Sequence, residues 1–190
     1  MKYSVGVYGD SISFGYGNDN ISWFDRLTGF ESKLKLSQNG ETISNVINKI
    51  SADNNIYDTI IIAVGINDFL QDSPVVDTSS VNKYIKQYEQ ILQIAEKISS
   101  KIVVQSLLPV IENKFPNQKY LDEPKWIFNI NVIEFNKLLK TLAQKYNAQY
   151  VDTYSVFNKQ NLSTLYFDAV HPNALGQTLL FDIYTKEFNK

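Results

Sequence analysis

The sequence contains no cysteine. Disulfides, thiol nucleophiles and thiolate metal sites are therefore excluded. His171 is the only histidine, so a site with several histidine ligands cannot form. Arg26 is the only arginine. A nucleic-acid-binding surface normally shows a basic face with arginines for bidentate contacts, and no such face is present. No apolar run approaches the ~18 residues of a membrane span. The opening residues lack a signal-peptide pattern, because Asp10 interrupts the apolar start. Together with the missing cysteines, this gives the expectation of a cytoplasmic protein.

What remains is an ordinary globular composition. The 190 residues carry 18 basic and 20 acidic side chains, and 44% are hydrophobic. One domain over residues 1–190, with a sizeable core, is expected. The segment "KYSVGVYG" reads as a strand, "SWFDRLTGF" as a short helix, "SKLKLSQN" as a strand and "ETISNVINKI" as a helix. The uninterrupted apolar centre of "YDTIIIAVG" suits a strand buried on both faces. Val81, Tyr84, Ile85, Tyr88, Leu92 and Ala95 form one stripe at helical spacing. "KIVVQSLLPV" reads as another buried strand. "WIFNINVIEFNKLLKTLAQKY" reads as a helix with Ile127, Ile130, Leu138, Leu142 and Ala143 facing inward. "AQYVDTYSVF" is the last strand with its exit, and a helix through Leu179, Leu180 and Ile183 closes the chain. This alternation predicts a parallel sheet with helices on both faces. The polar stretch "IENKFPNQKYLDEPK" is long for a connection. Phe115, Tyr120 and Leu121 within it suggest a wall beside a pocket, and a tolerated surface insertion is the other reading.

Ligands of such sheets bind beyond the carboxyl ends of the strands. The residues there are Gly9-Asp10-Ser11, Asn39-Gly40, Gly65-Ile66-Asn67-Asp68 and a loop ending in Asp168-Ala169-Val170-His171. These are the groups acyl transfer needs. A serine hydroxyl requires a base, and His171 is the one histidine able to serve. The base requires an acid to fix its tautomer, and Asp168 lies three residues away. An oxyanion requires donors, which the backbone N–H groups of Ser11 and Gly40 and the amide of Asn67 could supply. Taken singly, each has another reading. Ser11 fits a turn or a helix cap, Gly40 a strand end, Asn67 and Asp68 an Asx turn, and His171 a surface residue before Pro172. Asp152 is a rival acid, although its place at a strand exit is explained by turn formation. Asp10 and Asp68 are assigned to loop hydrogen bonding, and Ser13 to a structural role.

The blocks "GDSISFGYG", Gly40 in "SQNGETIS", "GIND" and "DAVHPNALG" resemble, in that order, the motifs of the SGNH hydrolases, also called the GDSL esterase family. Ala169 stands where the family commonly has glycine. The resemblance spans nearly the whole chain. It implies a flavodoxin-like three-layer α/β/α sandwich. It also implies a metal-independent serine esterase with no cofactor: Ser11, His171 and Asp168 as triad, and Ser11, Gly40 and Asn67 as oxyanion hole. The substrate implied is an ester or thioester, and the wall expected from the "IENKFPNQKYLDEPK" stretch points to a small or short-acyl one. Thioesterases, lysophospholipases, arylesterases and carbohydrate acetylesterases all fall within the family. No G-x-S-x-G elbow and no P-loop occurs, which sets aside the α/β-hydrolase and nucleotide-hydrolase alternatives. A flavodoxin-like module that binds a small ligand without turnover, and an acyltransferase using the same triad, remain alternative readings. The sequence does not indicate an oligomeric state.

Overall fold

The computed structural model describes residues 3–116 and 123–189. Among these, five strands form one parallel sheet: β1 (Ser4–Gly9), β2 (Ser32–Lys35), β3 (Tyr57–Ala63), β4 (Ser99–Gln105) and β5 (Gln149–Val151), in the order β2-β1-β3-β4-β5. Ile60, Ile61 and Ile62 at the sheet centre are all fully buried, which accounts for the unbroken apolar run. β2 is an edge strand, and its Lys33 is exposed. A charge there discourages pairing with another chain.

Leaving β1, the chain passes through α1 (Ser11–Phe14) and α2 (Trp23–Arg26) to β2 on one side. It then returns past β1 through α3 (Ile43–Ala52) to β3, through α4 (Val81–Ile98) to β4, and through α5 (Asn129–Lys145) to β5. Right-handed crossovers in opposite directions place α1 and α2 on one face and α3, α4 and α5 on the other. After β5 come α6 (Thr153–Phe157), α7 (Leu162–Leu165) and α8 (Ala174–Phe188), and α8 packs against α2. This is the expected flavodoxin-like α/β/α arrangement. Its direction reverses between β1 and β3, which is where sheets of this kind bind ligands. Among the described residues, no helix is long and apolar enough to cross a membrane.

Several element ends differ from the sequence expectation, each for a visible reason. The helix predicted over "SWFDRLTGF" ends at Arg26, because Lys33 Nζ donates to the carbonyls of Asp25 (2.7 Å) and Leu27 (2.8 Å). The strand predicted over "KIVVQSLLPV" ends at Gln105, yet residues 106–110 stay buried. Side-chain amides of α5 satisfy their backbone in place of a neighbouring strand. Asn136 accepts from Leu107 N (2.8 Å) and donates to Leu107 O (2.9 Å). Asn129 does the same at Val110, at 2.9 Å in both directions. The final strand is only three residues long, because Asp152 accepts from Ser155 N (2.9 Å) and starts α6.

The helix α5 begins at Asn129, three residues later than the pattern implies. Ile127 is buried but precedes the helix. A helical count started from Ile127 points to Ile130, which is 49% exposed. The face that packs inward carries Val132, Phe135, Asn136, Leu139, Leu142 and Ala143.

Candidate active site

Ser11 lies one residue beyond β1 and is the first residue of α1. Asp10 caps this short helix, its Oδ1 accepting from Ile12 N at 3.0 Å. The first N–H groups of a helix have no partner within it, so the Ser11 N–H emerges beside its own hydroxyl. α8 holds this turn in place through the buried Gln177. Its Nε2 donates to Ile12 O (3.0 Å) and its Oε1 accepts from Trp23 N (2.9 Å). The Trp23 ring stacks on Tyr184 of the same helix, with centroids 3.9 Å apart.

His171 arrives from the opposite end of the chain. Its Nε2 lies 2.9 Å from Ser11 Oγ, and its Nδ1 lies 2.8 Å from Asp168 Oδ2. The other carboxylate oxygen, Oδ1, accepts from the backbone N–H groups of Val170 and His171, both at 2.8 Å. Burial acts to raise the Asp168 pKa, but the hydrogen bond and charge of His171 and those two N–H donors outweigh it. The carboxyl is held below its ordinary value. An ionised Asp168 accepts from Nδ1–H, which leaves the Nε2 lone pair facing the Ser11 hydroxyl. This tautomer is assigned from the partners of the two ring nitrogens. The Tyr16 ring lies 4.7 Å from the imidazole, centroid to centroid, and packs against it.

The loop carrying Asp168 and His171 is itself braced. Phe167 N donates to His171 O (2.8 Å), and Asn173 caps α8 through Leu175 N (2.9 Å). The segment after β4 supports it from the side. Ile111 N donates to Ala169 O (2.9 Å), and Tyr166 OH donates to Pro109 O (2.6 Å).

The second and third blocks are tied to each other. Asn67 Nδ2 donates to Glu41 O (2.8 Å), and Asp68 Oδ2 accepts from Ile43 N (3.0 Å) at the start of α3. Gly40 stands just before this junction with φ +76°, a region that favours glycine, and a Cβ there would meet nothing within 4 Å. Its backbone conformation favours glycine, whereas the space beside it is open. Asp10 and Asp68 both serve as loop acceptors, as expected. Ser13 is fully buried and lines no cavity described here. Asp152 is occupied by Ser155, through both its backbone N–H (2.9 Å) and its hydroxyl (2.8 Å).

Ser11, Gly40, Asn67 and His171 border a single cavity of about 360 Å³. Asn39, Tyr16, Leu70, Phe115, Ile127 and Val170 complete it. Sequence reasoning placed Phe115 at this wall, whereas Tyr120 and Leu121 lie outside the described residues. It did not assign Tyr16, Leu70 or Val170 to the site. Ile127 was read only as core.

Two further carboxyls are perturbed. Burial raises Asp10 to about 7, against the opposing effects of the Ile12 N–H and the His171 charge. Burial likewise raises Asp68 to about 6. A folded-state carboxyl pKa above the unfolded value means that the folded protein binds more protons, so stability falls as pH rises through the window between them. For Asp10 that window runs from its ordinary value of 3.8 up to about 7. Asp10→Asn keeps a side-chain oxygen for the cap and removes the ionisation. The expected result is a smaller loss of unfolding free energy between pH 4 and 7 than in wild type, measured by urea denaturation. An equally steep loss in the variant would show that Asp10 does not titrate in this range.

A flavodoxin-like sheet with a serine–histidine–carboxylate row at the edge of a cavity defines a class of protein, one equipped for acyl transfer. Residues 7–179 match the GDSL-like lipase/acylhydrolase family, and the chain belongs to that family. It is a carboxylic ester hydrolase. No curated protein matches the chain significantly. Solved structures do. A member of the lipolytic G-D-S-L family from Veillonella parvula is 18% identical with TM-score 0.75, and 99% of each chain is covered. The lipase/acylhydrolase from Enterococcus faecalis is 18% identical with TM-score 0.76, covering 99% of this chain and 95% of that one. Axe2, an acetylxylan esterase from Geobacillus stearothermophilus, is 15% identical with TM-score 0.77, covering 99% and 94%. At these identities the likeness is one of fold.

Proposed function

We propose that the protein hydrolyses small, short-acyl esters or thioesters through an acyl-enzyme on Ser11. The observation that carries this reading is the unbroken row Ser11 Oγ–His171 Nε2 (2.9 Å) and His171 Nδ1–Asp168 Oδ2 (2.8 Å) at the edge of the cavity. Ser11 Oγ attacks the carbonyl carbon as its proton passes to His171 Nε2. The carbonyl π electrons move to oxygen, and the N–H groups of Ser11 and Gly40 and the Asn67 amide receive the resulting anion. The Asn67 nitrogen carries two hydrogens. One is held by Glu41 O, which orients the amide, and the other serves the substrate. When the tetrahedral centre collapses, the C–O or C–S bond to the leaving group breaks and His171 returns the proton to that group. Water, deprotonated by His171, then releases the acid and restores Ser11.

The test is turnover of p-nitrophenyl acetate, butyrate and octanoate to free acid and nitrophenol. The reading expects kcat/KM to be highest for the two short esters. Turnover of none of them would overturn it. Asn67→Ala is expected to lower kcat by about 10²–10³, the usual loss for one oxyanion donor, with a smaller change in KM. An unchanged kcat with a raised KM would make Asn67 a substrate-binding residue instead.

A further inference from the structure

The apolar side of the cavity contains a matched pair. Gln71 and Trp126 form an isolated antiparallel bridge, with Gln71 N donating to Trp126 O and Trp126 N to Gln71 O, both at 2.9 Å. In antiparallel register, this sets residue 70 opposite residue 127. Side chains alternate along extended backbone, so Leu70 and Ile127 project from the same face of the bridge, opposite to Gln71 and Trp126. Both line the cavity, and Ile127 is only 2% exposed.

The bridge is anchored on both sides. The Gln71 side chain clasps the Asp77 backbone, donating to its carbonyl (2.7 Å) and accepting from its N–H (3.1 Å). Asn131 of α5 donates to the same carbonyl at 3.0 Å. Lys125, next to Trp126, pairs with Asp72, next to Gln71. A wall built this way differs from a loop resting on a pocket. The backbones that carry its two apolar side chains are tied by the paired hydrogen bonds of the neighbouring residues, so both side chains start from fixed positions on the wall.

We propose that the Leu70–Ile127 pair is the stop that limits acyl-chain length. This rests on the serine-esterase reading above and specifies which part of the substrate the cavity measures. The acyl chain extends from the carbonyl carbon at Ser11 towards the bridge. Chains that end before the pair fit, and longer ones must displace one of the two side chains. Each methylene that gains a buried place is worth about fourfold in kcat/KM.

The experiment compares wild type with Ile127→Ala, Leu70→Ala and Leu70→Phe on two ester series. One varies the acyl chain from acetate to octanoate with p-nitrophenol as the constant leaving group. The other varies the alcohol with acetate as the constant acyl group. Either alanine variant should raise the hexanoate-to-acetate ratio of kcat/KM by about fifteenfold, the room for two further methylenes. Leu70 is only partly buried, so its variant keeps the test valid should Ile127→Ala fail to fold. Leu70→Phe should act in the opposite direction and lower the butyrate-to-acetate ratio. Unchanged acyl ratios in active variants, or a shift confined to the alcohol series, would overturn the stop while leaving the esterase intact. Absence of any Ser11-dependent ester turnover would instead overturn the esterase reading, and the stop with it.

Discussion

Ser11→Ala, His171→Ala and the double variant are expected to share nearly the same residual kcat, on the order of 10⁶-fold below wild type. The nucleophile and its base work as one unit. Without His171, the Ser11 hydroxyl keeps its proton and is a poor nucleophile. Without Ser11, the imidazole has no hydroxyl to activate. The 2.9 Å contact between Ser11 Oγ and His171 Nε2 is the physical link that makes the two losses overlap. Residual rate in all three variants should come from the oxyanion donors and the cavity. A double variant far below both single variants would mean that the two side chains act in separate steps.

Asp168→Asn is expected to lower kcat by about 10⁴ while the protein stays folded. An asparagine at this position can still offer one oxygen to the N–H groups of Val170 and His171, which hold the loop at 2.8 Å each. Its amide nitrogen then donates to Nδ1. The imidazole proton is forced to Nε2, so the ring can no longer accept from Ser11. Thermal denaturation should show a small change beside the large kinetic one. Activity within tenfold of wild type would remove Asp168 from the proposed triad. Asp152 is a poor replacement, since both of its oxygens are engaged by Ser155, at 2.9 and 2.8 Å.

The polar part of the candidate site was legible because loops that follow parallel strands must emerge at one end of the sheet. That rule groups the Ser11, Gly40 and Asn67 blocks, which follow β1, β2 and β3, whereas the Asp168–His171 loop follows β5 by way of α6 and α7. The reason Gly40 is glycine was legible only in part. The sequence offers Gly40 as an N–H donor or a strand end, and the structure adds a positive φ of 76°. The apolar part was harder to read. Leu70 and Ile127 are brought to one cavity by the Gln71–Trp126 bridge between segments more than fifty positions apart, and nothing in either segment announces that pairing. Ile127 shows how this misleads a periodicity count. It is apolar, buried and next to a helix, yet it follows the bridge residue Trp126 and precedes α5, so a helical count from it points to the exposed Ile130. The early end of β4 has a similar origin. The side chains of Asn129 and Asn136 replace a neighbouring strand as hydrogen-bond partners, and apolar runs such as "SLLPV" carry no trace of that substitution.

The central claim is that Ser11 is the group that takes the acyl chain. Its most direct test is the mass of the tryptic peptide containing Ser11 after treatment with a fluorophosphonate. The proposed arrangement predicts a single adduct, located at Ser11 by fragmentation and absent from both Ser11→Ala and His171→Ala. Ser13 sits two residues away but is fully buried and lines no part of the cavity, so it should stay unmodified. An adduct on Ser13, or one that survives in Ser11→Ala, would contradict the account.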